Sequence, residues 1–288
     1  MDINTIKLLR IPFSFFLMPV FFFALSQAVE VNWTNALLSF FILHLFIYPA
    51  SNGYNSYMDQ DETSIGGLEH PPKPTIKLFY TSIAFDVIGL GLSLIISVQY
   101  FIAIALYMLA SRAYSFKGIR LKKFPLIGFL TVVFFQGGFT FWMVLSAVNV
   151  YPVIIDSNLL MALTGCSFLI GGIYPLTQVY QHEADKLSGD LTVSYKLGIN
   201  GTFIFSALMF VIANALFYFY FEGIYKLNYF VYFQLFLLPV VVYFLVWFYK
   251  AAKNKSQASF RNMMNMNFIA ATSMNTCFIL LLILNNIK

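Results

Sequence analysis

Long apolar runs, separated by short polar segments, make up most of this 288-residue sequence. Their apolarity is nearly continuous and lacks the alternation of a half-buried strand, which favours helices. A helix needs about 20 mostly apolar residues to cross a bilayer, and a polar helix end is tolerated where it lines an enclosed cavity. Nine runs meet this description: Ile11–Ala28, Asn35–Ala50, Leu78–Val98, Phe101–Ser115, Leu126–Val148, Leu159–Tyr180, Gly201–Phe221, Tyr229–Tyr249 and Phe268–Leu284. The pattern predicts an all-α membrane protein of nine transmembrane helices, forming one domain over residues 1–288.

The composition agrees with this fold class. Hydrophobic residues make up 60% of the chain and charged residues 10%, whereas a soluble domain is about 25% charged. Cys166 and Cys277 both lie inside apolar runs, so the sequence implies no disulfide framework. We therefore expect an integral, multi-pass membrane protein, and the bacterial inner membrane is the expected location.

The positions of Lys and Arg predict the orientation, because these residues concentrate in the cytoplasmic segments of membrane proteins. With the N-terminus inside, only Lys226 and Lys288 of the 17 Lys and Arg residues fall outside, which leaves 15 inside. This distribution predicts a cytoplasmic N-terminus. It also accounts for the net charge of +5, so that no nucleic-acid partner is expected.

A polar cluster interrupts the apolar pattern between Asn52 and Pro74. Four of the chain's 12 acidic residues fall within eleven of its positions: Asp59, Asp61, Glu62 and Glu69. Asn55 and Asp59 are four residues apart, which places them on one face of a helix if the second helix continues that far, and Thr63 extends the same face. An ordinary acidic surface loop is the alternative for this cluster taken alone.

A second acidic cluster, Gln181–Asp190, follows the sixth predicted helix. Gln181 and Asp185 are again four residues apart, at the end of that helix, while Glu183 points elsewhere on an ideal helix. Helix capping and solvation are the alternative interpretation. The predicted topology puts both clusters on the cytoplasmic side, and two amide–carboxylate pairs on one side of the membrane predict a single metal-dependent site.

These residues resemble the two aspartate-rich motifs of the UbiA superfamily of intramembrane prenyltransferases. The first motif is similar to Asn55-Ser-Tyr-Met-Asp59 followed by Lys73-Pro74, and the second to Asp185-x-x-x-Gly189-x-x-Thr192 followed by Gly198. The resemblance covers essentially the whole chain. It implies nine helices around a central cavity, with acidic loops after the second and sixth helices and a basic segment after the fourth.

The resemblance also implies a function. Members of this superfamily transfer a prenyl group from a polyprenyl diphosphate to a hydrophobic or aromatic acceptor within the lipid bilayer, with Mg²⁺ as cofactor. Mg²⁺ prefers oxygen ligands and usually keeps several waters, so a few carboxylates and the substrate's phosphates suffice. No residue in the sequence selects the acceptor or the length of the donor.

Carried over to this sequence, the resemblance assigns roles to particular residues. Asp59 and Asp185 are expected to ligate the metal, with Asp61 as a further candidate, and Asn55 joins Asp59 and Asp185 as a catalytic residue. The remaining residues are expected to contact the substrate: Lys73, Tyr114, Lys117, Arg120, Gln181 and Lys186. For the basic residues, topology signalling and contact with anionic lipids remain an alternative.

Two positions depart from the family's motifs. Thr63 stands where a second aspartate is expected, and Gln181 stands where the second motif begins with aspartate. Asp61 or Glu183 could replace the missing carboxylates, and the sequence leaves this open. The departures keep a non-catalytic, lipid-binding member of the family as an alternative. A membrane transporter is the other alternative, but transporters usually carry ionisable residues near the midplane, and apart from Asp86 this chain has its charges at one face.

Overall fold

The computed structural model describes residues 2–286, apart from the side chain of Ser188. Within this range the chain forms nine long helices, of which the first is interrupted at the left-handed residue Arg10, together with one short α-helix and the short 3-10 helices Leu121–Lys123 and Lys255–Gln257. In order, the long helices and the short α-helix are α1 (Ile3–Ser26), α2 (Trp33–Asp59), α3 (Ile76–Ile96), α4 (Val98–Ser115), α5 (Pro125–Val148), α6 (Ser157–Leu176), α7 (His182–Ser188), α8 (Val193–Gly223), α9 (Leu227–Lys253) and α10 (Phe260–Asn286).

Eight of these helices are long and apolar enough to cross a membrane, among the residues that the structure describes. The exception among the long helices is α4, which spans 18 residues and carries Arg112 in its last turn. The all-α membrane fold is thus confirmed, whereas the count of nine crossings and the cytoplasmic N-terminus stay predictions. Lys288, one of the two charges predicted to lie outside, is beyond the described residues.

Aromatic side chains fill the centre of the bundle. The ring of Phe23 on α1 lies 4.9 Å from that of Phe141, 5.2 Å from that of Phe217 and 4.7 Å from that of Phe278. These partners belong to α5, α8 and α10, so four helices meet at one buried ring. Because lipid tails are as apolar as the protein interior, helices in a membrane associate through this kind of tight packing.

Two glycines let α5 and α6 approach each other closely. A Cβ atom built on Gly138 would lie 2.6 Å from the carbonyl oxygen of Leu163, and one on Gly137 would lie 2.5 Å from the Cα of Ser167. The hydroxyl of Ser167 accepts a hydrogen bond from the backbone N–H of Gly138 at 3.0 Å. The contact falls within a π-helical turn, Phe134–Phe139, and it requires residues without a side chain at these positions.

The first acidic cluster begins on a helix, as its spacing predicts, but that helix ends before Thr63. Asn55 and Asp59 both lie on α2, which ends at Asp59. Gln60 adopts a left-handed conformation with φ 55, and its side-chain amide donates to the carbonyl of Tyr57 at 2.6 Å, which caps the helix. Thr63 therefore lies in the following loop, and the prediction that it extends the helical face is wrong.

The second acidic cluster does not end the sixth helix. That helix stops at Leu176, and Asp185 lies on the separate short helix α7, which Gln181 precedes. The hydroxyl of Thr177 donates to the carbonyl of Tyr174 at 2.6 Å and so competes with the helical hydrogen bonds there. Gln181 and Asp185 are nevertheless one helical turn apart, because the backbone N–H of Asp185 donates to the carbonyl of Gln181 at 2.8 Å.

An ion pair inside the bundle joins three helices. Asp86 on α3 binds the guanidinium of Arg112 on α4, and this guanidinium also lies 3.9 Å from the centre of the Tyr54 ring on α2. A charge within a membrane protein is stable only when it is paired. The contact holds α4 against α2 and α3, and α4 leads directly into the basic segment after it.

We predict that Gly138→Ala lowers the free energy of unfolding by about 1–3 kcal/mol, because the new methyl group would overlap the backbone of α6. The midpoint of thermal unfolding in detergent would measure the loss. Gly91→Ala on α3 is the matched control, since a Cβ there meets no atom within 4 Å. The control should be neutral or stabilising by about 0.5–1 kcal/mol. Equal losses for both variants would contradict the close contact between α5 and α6.

Candidate active site

A polar cavity of about 330 Å³ lies at the end of the bundle where both acidic clusters emerge. Residues from both clusters contribute to its wall, as do residues from the basic segment after α4, here defined as residues 117–123. Its charged lining residues are Arg10, Asp59, Asp61, Arg120, Lys122, Asp185 and Asp190. The prediction that the two clusters face one another across a single site therefore agrees with the geometry.

The last turns of α2 supply one wall of this cavity. Asn55 accepts a hydrogen bond at Oδ1 from the hydroxyl of Ser115 at 2.6 Å, which fixes its amide toward the cavity. The side chain of Asp59 is 6% exposed, and its Oδ1 lies 2.5 Å from Nζ of Lys122 and 3.7 Å from Nη2 of Arg120. The carboxylate of Asp59 is thus buried and neutralised by the basic segment.

Asp190 holds the same two cations from the opposite side. Arg120 donates from Nε to Oδ1 at 2.9 Å and from Nη2 to Oδ2 at 2.8 Å, and Lys122 lies 3.1 Å from Oδ2. Burial opposes ionisation of Asp190, but the hydrogen bonds from Arg120, together with Lys122, hold its pKa below the usual range. The bond to Asp190 likewise raises the pKa of Arg120. Paired parallel hydrogen bonds of this kind fix a guanidinium in both position and orientation.

The other two cavity carboxylates are less well compensated. Burial, and then the neighbouring charge of Asp59, raise the pKa of Asp61 to about 6. Burial raises the pKa of Asp185 to about 7, although Thr192 donates a hydrogen bond to its Oδ2 at 3.3 Å. Each carboxylate would therefore gain from a cation placed in the cavity.

The donor set of the cavity suits a hard divalent cation. Its ligands are carboxylate and amide oxygens, which Mg²⁺ prefers. Among residues 2–286, no three acidic, histidine or cysteine residues stand close enough to surround one ion by themselves. Mg²⁺ typically binds through one or two carboxylates together with substrate phosphates, so the residues present fit such an ion.

Not every predicted site residue reaches this cavity. Tyr114, Arg120 and Gln181 line it together with Asn55 and the metal candidates Asp59, Asp61 and Asp185. The side chain of Lys73 is 90% exposed and lies 3.8 Å from Glu62. Lys117 and Lys186 are also exposed and do not line the cavity.

Two site residues were missed by sequence reasoning. Asp190 ends the second cluster without any helical relation to Asp185, so its position in that cluster was the only signal. Arg10 lies near the N-terminus, far in sequence from both motifs, yet it is buried and lines the cavity. It donates from Nη1 to the carbonyl of Gly66 at 3.0 Å and from Nη2 to that of Asn52 at 3.2 Å.

An apolar cavity of about 750 Å³ adjoins the polar one. It lies among α1, α6, α8, α9 and α10, and its wall is mostly aromatic and aliphatic, with the amides of Asn214 and Asn267 as exceptions. Four residues line both cavities: Phe16, Ile170, Ile173 and Asn267. A molecule with a charged head and a long apolar tail would match the two spaces together.

Known proteins share both the sequence pattern and the fold. A model of the UbiA prenyltransferase family matches residues 15–269. A UbiA homologue from Archaeoglobus fulgidus, solved with DMAPP and Mg²⁺, is 16% identical with a TM-score of 0.72, over 97% of this chain and 99% of that chain. The same homologue solved with GPP and Mg²⁺ is 17% identical with a TM-score of 0.71, again over 97% of this chain and 99% of that chain.

A third solved structure, of a digeranylgeranylglyceryl phosphate synthase, is 19% identical with a TM-score of 0.63. The match covers 97% of this chain and 98% of that one. No curated protein sequence matches the chain.

We predict that Asp190→Ala frees the basic segment and makes it about tenfold more sensitive to trypsin after Arg120 and Lys122, because Arg120 loses its paired hydrogen bonds and both buried cations are left with Asp59 as their described carboxylate partner. Cleavage would be followed by mass spectrometry. Glu62→Ala removes a partner of Lys73 in an exposed ion pair, which contributes little to stability, and should not alter cleavage at this segment. Equal sensitivity of the Asp190 variant and the unmodified protein would show that Asp190 does not hold the segment.

Proposed function

Because this chain belongs to the UbiA prenyltransferase family, we propose that it transfers a prenyl group from a polyprenyl diphosphate to a hydrophobic or aromatic acceptor within the membrane, with Mg²⁺. The observation that carries the proposal is the pair of joined cavities, one lined by carboxylates and cations and the other apolar. The Archaeoglobus fulgidus homologue was solved with the prenyl diphosphates DMAPP and GPP and with Mg²⁺, which supports the same class of donor here.

The polar cavity would bind the diphosphate. Asp59 and Asp185, with Asp61, would hold Mg²⁺, which when bound neutralises the charge that develops on the leaving diphosphate. Arg120 and Lys122 would contact the diphosphate oxygens from the basic segment. Both cations are already in place before substrate arrives, because Asp59 and Asp190 fix them.

The apolar cavity would hold the prenyl chain. Its wall includes the rings of Phe210, Phe230, Phe233 and Phe244, which exclude water from the space beside the reacting carbon. Loss of diphosphate leaves an allylic cation on the donor, which must react with the acceptor before water does. Aromatic faces also attract a cation through their quadrupole, so the wall both shields and stabilises this species.

Two features favour transfer over the alternatives raised by the sequence. Asp86, the ionisable residue expected to mark a transport path, is paired with Arg112 and lines neither cavity. The missing carboxylates at Thr63 and Gln181 suggest a non-catalytic member, but Asp61 and Asp190 bring further carboxylates into the same cavity. The distribution of Lys and Arg supports a cytoplasmic position for this end of the bundle, and a bacterial inner membrane is the proposed location.

We predict that Asp59→Asn and Asp185→Asn each lower transfer at least a hundredfold, since each removes a ligand for the charge-neutralising metal. Transfer from labelled prenyl diphosphates to a panel of acceptors, with and without EDTA, would measure the loss. Glu222→Gln, at an exposed position remote from the cavity, should retain full activity. Turnover that survives both aspartate substitutions, or that persists in EDTA, would refute the metal-dependent assignment.

We also predict that Ala207→Phe shifts the preference of the protein toward short donors. Ala207 lines the apolar cavity, so a larger side chain would occupy the space of a long prenyl chain. The ratio of kcat/KM for a five-carbon donor to that for a twenty-carbon donor would rise by about tenfold or more, because even one badly accommodated methylene in an apolar pocket changes kcat/KM by about that factor. Leu208→Phe is the matched control, because Leu208 is exposed outside the cavity, and it should leave the ratio unchanged. An unchanged ratio in Ala207→Phe would show that the prenyl chain of the donor does not lie beside Ala207.

A further inference from the structure

The loop after α2 forms a roof over the polar cavity, here defined as residues 61–69. Asp61, Thr63, Ile65 and Gly66 of this roof line the cavity. Two side chains from outside the roof hold backbone carbonyls that are two residues apart. Arg10 donates from Nη1 to the carbonyl of Gly66 at 3.0 Å, and Gln181 donates from Nε2 to the carbonyl of Ser64 at 3.0 Å.

The two attachments are not equivalent. On the side of α1 the roof is also packed, because Ile65 is 4% exposed and contacts Leu8, Leu9 and Leu78. Gly66 lies against the ring of Phe13, from which an added Cβ would stand only 2.8 Å away. On the side of α7, the described contact is the hydrogen bond from Gln181. Among the described hydrogen bonds, the one from Gln181 joins this side of the roof to the start of α7.

The chemistry of residue 181 decides whether the bond can form. A glutamine amide has two N–H donors, whereas an ionised carboxylate only accepts. The oxygens of an ionised aspartate at this position would repel the carbonyl oxygen of Ser64, so an aspartate could not hold the roof. The glutamine is thus suited to this contact in the place where the family resemblance leads one to expect a metal-binding aspartate.

We propose that Gln181 is a positioning residue that holds the roof, and with it Asp61, over the cavity, and that it does not ligate the metal. Its consequence for catalysis rests on the proposed function, prenyl transfer. Asp61 follows Asp59 by two residues but lies beyond the end of α2, so its position depends on the path of the roof. A carboxylate expected at position 181, just before α7, is thus replaced by one that the roof delivers.

Hydrogen exchange tests the first half of the proposal without metal, donor or activity. The N–H groups of Ile65 and Leu68 each donate to the carbonyl of the other residue at 2.9 Å, so their exchange reports opening of the roof. In Gln181→Met, which keeps the size and neutrality of the side chain but removes the donor, these amides should exchange about fivefold faster, as expected for the loss of one hydrogen bond. Gln178→Met is the control, because it changes a second cavity glutamine with no described bond to the roof.

Binding of Mn²⁺ to the donor-free protein, followed by electron paramagnetic resonance, tests the second half. Gln181→Met should weaken Mn²⁺ binding about threefold, and this effect should disappear in an Asp61→Asn background, where the roof no longer delivers a carboxylate. Gln181→Asp, which restores the carboxylate expected from the family, should open the roof like Gln181→Met without tightening Mn²⁺ binding.

Three outcomes would overturn the proposal: unchanged exchange in Gln181→Met, tighter Mn²⁺ binding in Gln181→Asp, or an equal effect of Gln181→Met with and without Asp61. Failure of the proposed function is a separate result. It would appear as an absence of prenyl transfer by the unmodified protein, and the exchange of Ile65 and Leu68 would still report what holds the roof.

Discussion

Burial of charge governs the functional end of this protein. The side chains of Asp59 and Asp190 are almost fully buried, and removing a carboxylate from water costs several kcal/mol unless a partner compensates it. Arg120 and Lys122 supply that compensation, with Nζ of Lys122 at 2.5 Å from Asp59 and 3.1 Å from Asp190. The basic segment after α4 is therefore tied down by the acidic clusters. In the proposed function the same cations would bind the diphosphate, with the incoming anion and its metal replacing the carboxylates as their partners.

The position of that segment depends in turn on α4, the long helix that is not among the eight able to cross a membrane by length and apolarity. Arg112 on α4 binds Asp86 on α3 and lies over the ring of Tyr54 on α2. Asp59, the partner of Lys122, lies further along α2, at its end. An intramembrane ion pair that lines neither cavity thus sets the relative positions of the two elements that meet in the polar cavity. The contact gives the ionisable residue in α3 a structural role, which is to align the cavity.

Features that depend on local pattern were predictable from the sequence. Hydropathy found the long helices, and the four-residue spacing put Asn55 and Asp59 on one face of α2. Contacts that depend on the paths of loops were not predictable. Arg10 reaches Gly66 across 56 residues and Arg120 reaches Asp190 across 70, and no periodicity encodes such pairs. The end of α6 at Leu176 was also missed, because the apolar pattern continues to Tyr180 while the backbone beyond Leu176 forms turns that close over three residues.

The two departures from the family's motifs, Thr63 and Gln181, both involve the roof. A site with carboxylates at all four motif positions has strong ligands, but no residue at position 181 that could donate to a backbone carbonyl. Here Gln181 has no carboxylate to ligate a metal, but its amide can donate a hydrogen bond. Thr63 lies on the roof, beyond the end of α2, and is exposed to solvent. Asp61 and Asp190 then supply the negative charge that the motif positions lack. The number of carboxylates around the cavity is preserved, although their positions along the chain have changed.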